Sequence, residues 1–220
     1  MRKEISPIYT YIESHLKPES DLKQLARRKA DELGLGAISI SQTEAHLIQF
    51  LVQIIKPKKI IEIGTLTGLS ALYFLEALPV DGKLWSLEKS TEHFTMASAV
   101  LKTFIDAGQC ELVLGDAREK LPTLNLHGPF DVIFIDGNKA AYLDYWHWAK
   151  DNVASGGLII IDNVFLSGSV WGDLSKQKFS EKQIGLVQKM TSEIFSELIM
   201  SQFKTNFVPT NYGLLILKKN

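Results

Sequence analysis

The chain has 220 residues, 45% hydrophobic and 22% charged, the proportions of a soluble globular protein with enough length for one α/β domain. Its formal net charge of −1 excludes a global basic field that would draw it to nucleic acid or anionic lipid. The single cysteine, Cys110, excludes an internal disulfide, and no window approaches the roughly 18 apolar residues needed to span a bilayer.

The N-terminal stretch MRKEISPIYTYIESHL lacks the apolar h-region of a signal peptide, so a cytoplasmic protein is expected. Residues 7–33 read as a polar, amphipathic helical lead, broken at Pro18 and stopped by Gly34 and Gly36. Ser41 caps a further helix over 43–55, with Glu44 as its capping-box partner. From Lys58 onward the pattern is regular. Apolar runs at 59–63 (KIIEI), 84–87 (LWSL), 111–114 (ELVL), 131–135 (DVIFI) and 157–161 (GLIII) alternate with helical-period segments at 68–78, 90–107, 117–124 and 139–153. Such alternation predicts βαβ units and a parallel sheet buried on both faces. Near the end, 197–205 (ELIMSQFKT) and 213–219 (GLLILKK) predict an antiparallel hairpin that closes the sheet edge. No composition break marks a second domain. One domain over 1–220 is expected, with residues 1–40 as a helical extension and 41–220 as the core.

After the first strand the sequence runs IIEIGTLTGLSAL. Gly64 and Gly68 bracket a strand-to-helix turn whose backbone N–H groups favour acceptor atoms. The Gly-x-x-x-Gly spacing differs from the G-x-G-x-x-G of dinucleotide sites. Glu62 precedes the first glycine, where a carboxylate would repel a pyrophosphate and attract an ammonium group; this argues against a dehydrogenase. The second strand ends at Glu88, and an acid there is where α/β nucleotide folds bind ribose hydroxyls. Two acids and a glycine turn in this order suggest an adenosyl amino acid, S-adenosylmethionine.

Two further strands end in carboxylates. FDVIFIDGNKAAY ends its apolar run in Asp136, and GGLIIIDNV ends its own in Asp162 and Asn163. If the strands are neighbours, they lie about 4.8 Å apart, and the two acids would repel unless a cation sits between them. Two carboxylates and an amide oxygen suit a hard ion, Mg²⁺ or Ca²⁺, with Mn²⁺ a third option. The alternative is that both aspartates only cap helices. Lys139, three residues after Asp136, is a candidate general base. The five histidines, at 15, 46, 93, 127 and 147, lack zinc-ligand spacing.

The stretches EIGTLTGLSAL, LPVDGKLWSLE, LGDA, FDVIFIDGNK and GGLIIIDNVFLSGSV together resemble the successive motifs of the cation-dependent O-methyltransferases, the caffeoyl-CoA and catechol group with its bacterial relatives. The resemblance runs from about Ser39 to the C-terminus. It implies the Rossmann-like class I S-adenosylmethionine-dependent methyltransferase fold, seven mostly parallel strands with the last antiparallel and helices on both faces. Carried over, Glu62, Gly64, Thr65 and Ser70 would hold the methionine part of the cofactor, Glu88 its ribose, and Asp116 and Ala117 its adenine. Ile40 stands where the family contacts the cofactor through a threonine. Asp136, Asp162 and Asn163 would bind the cation, Asp136 serving catalysis and cofactor as well, with Lys139 as the base. The implied acceptor is a small hydroxylated aromatic, and the implied assembly a homodimer.

Three departures from the family lie on the substrate side. Gly137–Asn138 replaces Ala-Asp after the first metal ligand. Ser167 stands where an asparagine helps to hold substrate, and Tyr212 where an aspartate is usual. Trp171 is a candidate wall of the acceptor pocket, whereas the YLDYWHW cluster at 142–148 reads as core packing. A second reading is methyl transfer to a hydroxylated nucleoside of tRNA, with Lys17, Lys23, Arg27, Arg28 and Lys29 as a local basic patch. A third is a cofactor-binding scaffold without catalysis.

Overall fold

A computed structural model describes residues 7–173, 179–210 and 212–220. Seven strands form one sheet in the order β3-β2-β1-β4-β5-β7-β6. They are β1 (Lys59–Ile63), β2 (Lys83–Glu88), β3 (Cys110–Leu114), β4 (Phe130–Ile135), β5 (Val153–Asp162), β6 (Phe203–Val208) and β7 (Leu214–Lys219). Strands β2 and β3 pair parallel, as do β1 with β4 and β4 with β5, while β7 runs antiparallel to β5 and β6. This is the mostly parallel sheet with an antiparallel final strand that the sequence led us to expect.

The chain packs as two compact units. One comprises the residues up to Lys58 with Thr65–Gly115; the other comprises Lys59–Gly64 with Asp116–Asn220. In the first, helices α1 (Pro7–Glu13) and α2 (Asp21–Glu32) are separated around Pro18, and α3 (Gln42–Ile55) starts at the capping box read from Ser41 and Glu44. Helix α4 (Leu69–Ala77) follows the glycine turn. The predicted helix over 90–107 is in fact two, α5 (Thr91–Val100) and α6 (Lys102–Asp106). The chain breaks at fully buried Leu101, whose side chain fills the space over Gly68, 3.0 Å from where a Cβ would stand. Helical periodicity alone carries no trace of that distant contact.

The second unit holds the most apolar strands. Ile60, Ile61, Ile63, Val132, Ile133, Phe134, Ile135, Ile159, Ile160 and Ile161 are at most 1% exposed, and each such side chain contributes about 1.5–3 kcal/mol by burial. Around them are α7 (Ala117–Leu124), α8 (Tyr142–Asn152), α9 (Glu181–Ile194) and α10 (Glu197–Met200). The start of the predicted strand 197–205 is therefore helical. Met200 and Ser201 donate backbone bonds to the carbonyls of Ser196 and Glu197, and Leu198 and Met200 stay exposed, so their apolar character marks no sheet face. Pairing starts only at Phe203. Along the sheet, strand order reverses between β1 and β4, the kind of switch point at which open α/β sheets bind ligands.

Candidate active site

At that switch point Gly64 (φ 99°) carries the chain out of β1. A Cβ there would stand 2.5 Å from the Asp136 carbonyl oxygen, closer than any side chain tolerates, so the residue must be glycine. The Asp136 N–H donates to the Ile63 carbonyl at 2.9 Å, which stitches the two strand ends together. Glu62 lies fully buried one position before the end of β1.

The tips of β4 and β5 meet as the sequence reading required. Ile135 pairs in register with Ile161, so Asp136 and Asp162 follow at matching positions on adjacent strands. The Asn163 amide lies 3.0 Å from Asp136 Oδ1, and Lys139 Nζ donates to the same oxygen at 2.8 Å. Asp162 is fully buried, and its Oδ1 accepts the Asn163 N–H at 2.7 Å. That short bond accompanies a left-handed backbone at Asn163 (φ 62°), a conformation asparagine tolerates better than most residues. Among the described residues no group of three or more His, Cys, Asp or Glu side chains is arranged to hold a metal. The donor set here is instead two carboxylates and an amide. It fits a hard divalent cation: all donors are oxygen once the amide is turned, a rotation that leaves its shape unchanged, and the Lys139 ammonium already places a positive charge on Asp136.

Sequence reasoning missed the partner of Lys139. Tyr142 is fully buried, as core packing predicts. Its hydroxyl nevertheless accepts from Lys139 Nζ at 2.6 Å and donates to the Asp162 carbonyl at 2.8 Å. It bridges the candidate base to the β5 tip. The signal for it, a tyrosine one turn after the lysine, is too common to read from sequence.

The other acids sit differently. Glu88, at the end of β2, accepts the backbone N–H of Leu66 through Oε2 and of Ser90 through Oε1, both at 2.8 Å, with His93 Nδ1 3.5 Å away. Beneath this loop the hydroxyls of Thr65 and Ser86 share a 2.5 Å bond, both residues buried. Ser70 lies in the first turn of α4, whose N-terminus has no side-chain cap. Asp116 caps α7 through the Arg118 N–H and pairs with the Arg118 side chain at 2.9 Å and 3.1 Å. Ala117 beside it is buried. Burial pushes the nearby Tyr145 hydroxyl up to about 12, and the Asp116 carboxylate adds to the rise.

The three substrate-side candidates lie on neighbouring segments. Ser167 holds a left-handed backbone (φ 54°). Trp171, 64% exposed, meets Phe165 edge-on at 5.4 Å between ring centres. The Tyr212 carbonyl accepts the Phe165 N–H at 2.9 Å, tying the C-terminal loop to the segment after Asn163. Ile40 is buried, and its carbonyl accepts from Arg27 Nη1 at 3.2 Å. The basic patch is largely neutralised: Lys23 pairs with Glu76, Arg27 with Glu19 and Lys29 with Glu32.

Comparison with known proteins gives the family and the fold. The sequence profile of the O-methyltransferase family matches residues 13–211. The chain is 36% identical over 169 residues to a catechol O-methyltransferase of Niastella koreensis, covering 76% of each. It is 30% identical over 160 residues to the catechol O-methyltransferase of Mycobacterium tuberculosis, covering 73% of this chain and 72% of that one. Among solved structures, the O-methyltransferase TomG of Streptomyces achromogenes, in complex with SAM, superposes with a TM-score of 0.87 at 24% identity, over 100% of this chain and 98% of that one. An O-methyltransferase of Bacillus cereus, in complex with SAH, gives 0.86 at 24% identity over the full length of both.

Proposed function

Since the chain belongs to the O-methyltransferase family, we propose that it transfers the methyl group of S-adenosylmethionine to a hydroxyl oxygen of a small, catechol-like aromatic, with a divalent cation at Asp136, Asp162 and Asn163. The observation that carries this reading is the convergence of Asn163 and Lys139 on Asp136, at matched tips of adjacent strands. The names of the relatives, catechol and caffeoyl-CoA O-methyltransferases, support the acceptor class.

In the reaction the acceptor oxygen forms a bond to the methyl carbon, the sulfur–methyl bond breaks with its electrons left on sulfur, and the hydroxyl proton leaves. Lys139, in its neutral form, receives that proton, and the Tyr142 hydroxyl keeps the amine aimed from its anchor on the Asp162 carbonyl. The cation, when bound, would acidify the hydroxyl and chelate two adjacent acceptor oxygens. Glu62, Gly64, Thr65 and Ser70 are assigned to the methionine part of the cofactor, Glu88 to its ribose, and Asp116 and Ala117 to its adenine. Ser167, Trp171 and Tyr212 are assigned to the acceptor. One methyltransferase domain, acting in the cytoplasm as a homodimer, completes the proposal.

Turnover of labelled S-adenosylmethionine should be measured with catechol, an acyl-CoA phenol and tRNA, in chelator and with Mg²⁺ restored. Methylated catechol is expected only with Mg²⁺. Undiminished turnover in chelator would remove the metal from the mechanism, and methylation of tRNA alone would replace the acceptor.

A further inference from the structure

Helix α2 holds two stretches of backbone through adjacent residues. The Ala26 carbonyl accepts the Thr67 hydroxyl at 2.8 Å, and Thr67 is fully buried inside the glycine turn. Arg27 Nη1 donates to the Ile40 carbonyl at 3.2 Å. The rest of that guanidinium forks onto Glu19, Nε to Oε2 at 2.5 Å and Nη2 to Oε1 at 2.7 Å. Glu19 in turn accepts the Tyr73 hydroxyl of α4 at 2.7 Å. Burial alone would raise the Glu19 carboxyl, but the Arg27 guanidinium and the Tyr73 hydroxyl hold it below its ordinary value. One turn from Arg27, Lys23 lies over the Tyr73 ring at 3.6 Å and pairs with Glu76 at 2.5 Å.

Of these groups Lys23 and Glu19 are largely buried while Arg27 is half-buried. Buried charges stabilise a fold no better than well-packed apolar groups, and their distinctive contribution is fixed geometry. A second observation says what that geometry is for. Ser39, next to the carbonyl that Arg27 grips, is 7% exposed, and its hydroxyl has no hydrogen-bond partner among the described residues. A buried hydroxyl left unbonded is costly, and a ligand would relieve that cost.

We propose that α2 is the positioning element of the cofactor site: Ala26 fixes the turn 65–68, and Arg27 fixes Ser39–Ile40 so that the Ser39 hydroxyl bonds S-adenosylmethionine directly. The inference rests on the function proposed above. Arg27 is thus a positioning residue, and Ser39 a cofactor ligand.

The test measures S-adenosylhomocysteine affinity by calorimetry, together with Tm and kinetics, for the intact protein and its Arg27→Lys, Thr67→Val and Ser39→Ala variants. Lysine keeps the charge but cannot make the fork and the third bond together. Arg27→Lys should weaken binding about tenfold, the size of one charged hydrogen bond, with kcat at saturating cofactor within about twofold. Ser39→Ala should weaken binding about fivefold, the size of a neutral hydrogen bond, with Tm unchanged or raised, a combination that a packing role does not produce. Thr67→Val reads the other arm independently and should also raise the dissociation constant. Wild-type affinity in both Arg27→Lys and Ser39→Ala, whatever their Tm, overturns the proposal. If the unaltered protein binds no S-adenosyl compound, the underlying functional reading falls with it.

Discussion

Glu88 at the end of β2 is buried and Asp136 just beyond β4 is half-buried, and the two carboxylates are held in opposite ways. At the end of β2, Glu88 is gripped by main-chain amides, one on each oxygen. Just beyond β4, Asp136 is met by side chains, the Lys139 ammonium and the Asn163 amide. Backbone donors are fixed by the fold and keep the carboxylate in one orientation, ready to accept from a neutral hydroxyl. Side-chain donors can turn away and admit a cation. Under the proposed function the same sequence feature, an acid closing an apolar run, would serve hydrogen-bond recognition in one place and ion binding in the other.

Four changes test that contrast, from the largest effect to the smallest. Asp162→Ala removes a carboxylate from the β5 tip. Mg²⁺-dependent turnover should fall about a thousandfold, because charge stabilisation of this kind is worth several kcal/mol, while calorimetric cofactor affinity stays near wild type. Full turnover in that variant would end the ion-binding role. Gly64→Ala forces a methyl group against the Asp136 carbonyl and demands a left-handed alanine. Urea unfolding should show a loss of about 3 kcal/mol; an unchanged midpoint would mean that the two strand ends separate easily. Glu88→Gln faces an NH₂ toward a backbone N–H. It should raise the cofactor KM about tenfold, by one lost charged hydrogen bond, with the Mg²⁺ dependence unchanged, and a shift in metal affinity instead would erase the distinction between the tips. Tyr142→Phe deletes the bridge from Lys139 to the Asp162 carbonyl. A loss of about 1–2 kcal/mol in stability and a severalfold drop in kcat are expected, visible in denaturation and steady-state assays, and wild-type behaviour in both would reduce Tyr142 to packing.

Much of this was legible beforehand. Strands β1, β4 and β5 announce themselves as apolar runs, and Ser41 with Glu44 announces the start of α3. A second capping box, Ser180 with Gln183, was equally available as the start of α9 and went unread. What stayed hidden depends on residues distant in the chain. The break at Leu101 answers to Gly68, the bond of Tyr142 to Asp162, and the grip of Arg27 to Ile40 and Glu19. The basic patch shows the same limit. Five cations within thirteen residues look like a charged face, yet three of them are spent on Glu19, Glu32 and Glu76.

By itself the sequence determined most of the strands, the helical start of 197–205 excepted, and which of them end in acids, because both follow from local periodicity and side-chain chemistry. It could not determine that β4 and β5 lie side by side in register, nor that Glu88 would meet amides and Asp136 an ammonium. Strand neighbours are chosen by the packing and crossovers of the whole sheet, and a carboxylate takes its character from the groups that packing brings within about 3 Å of it.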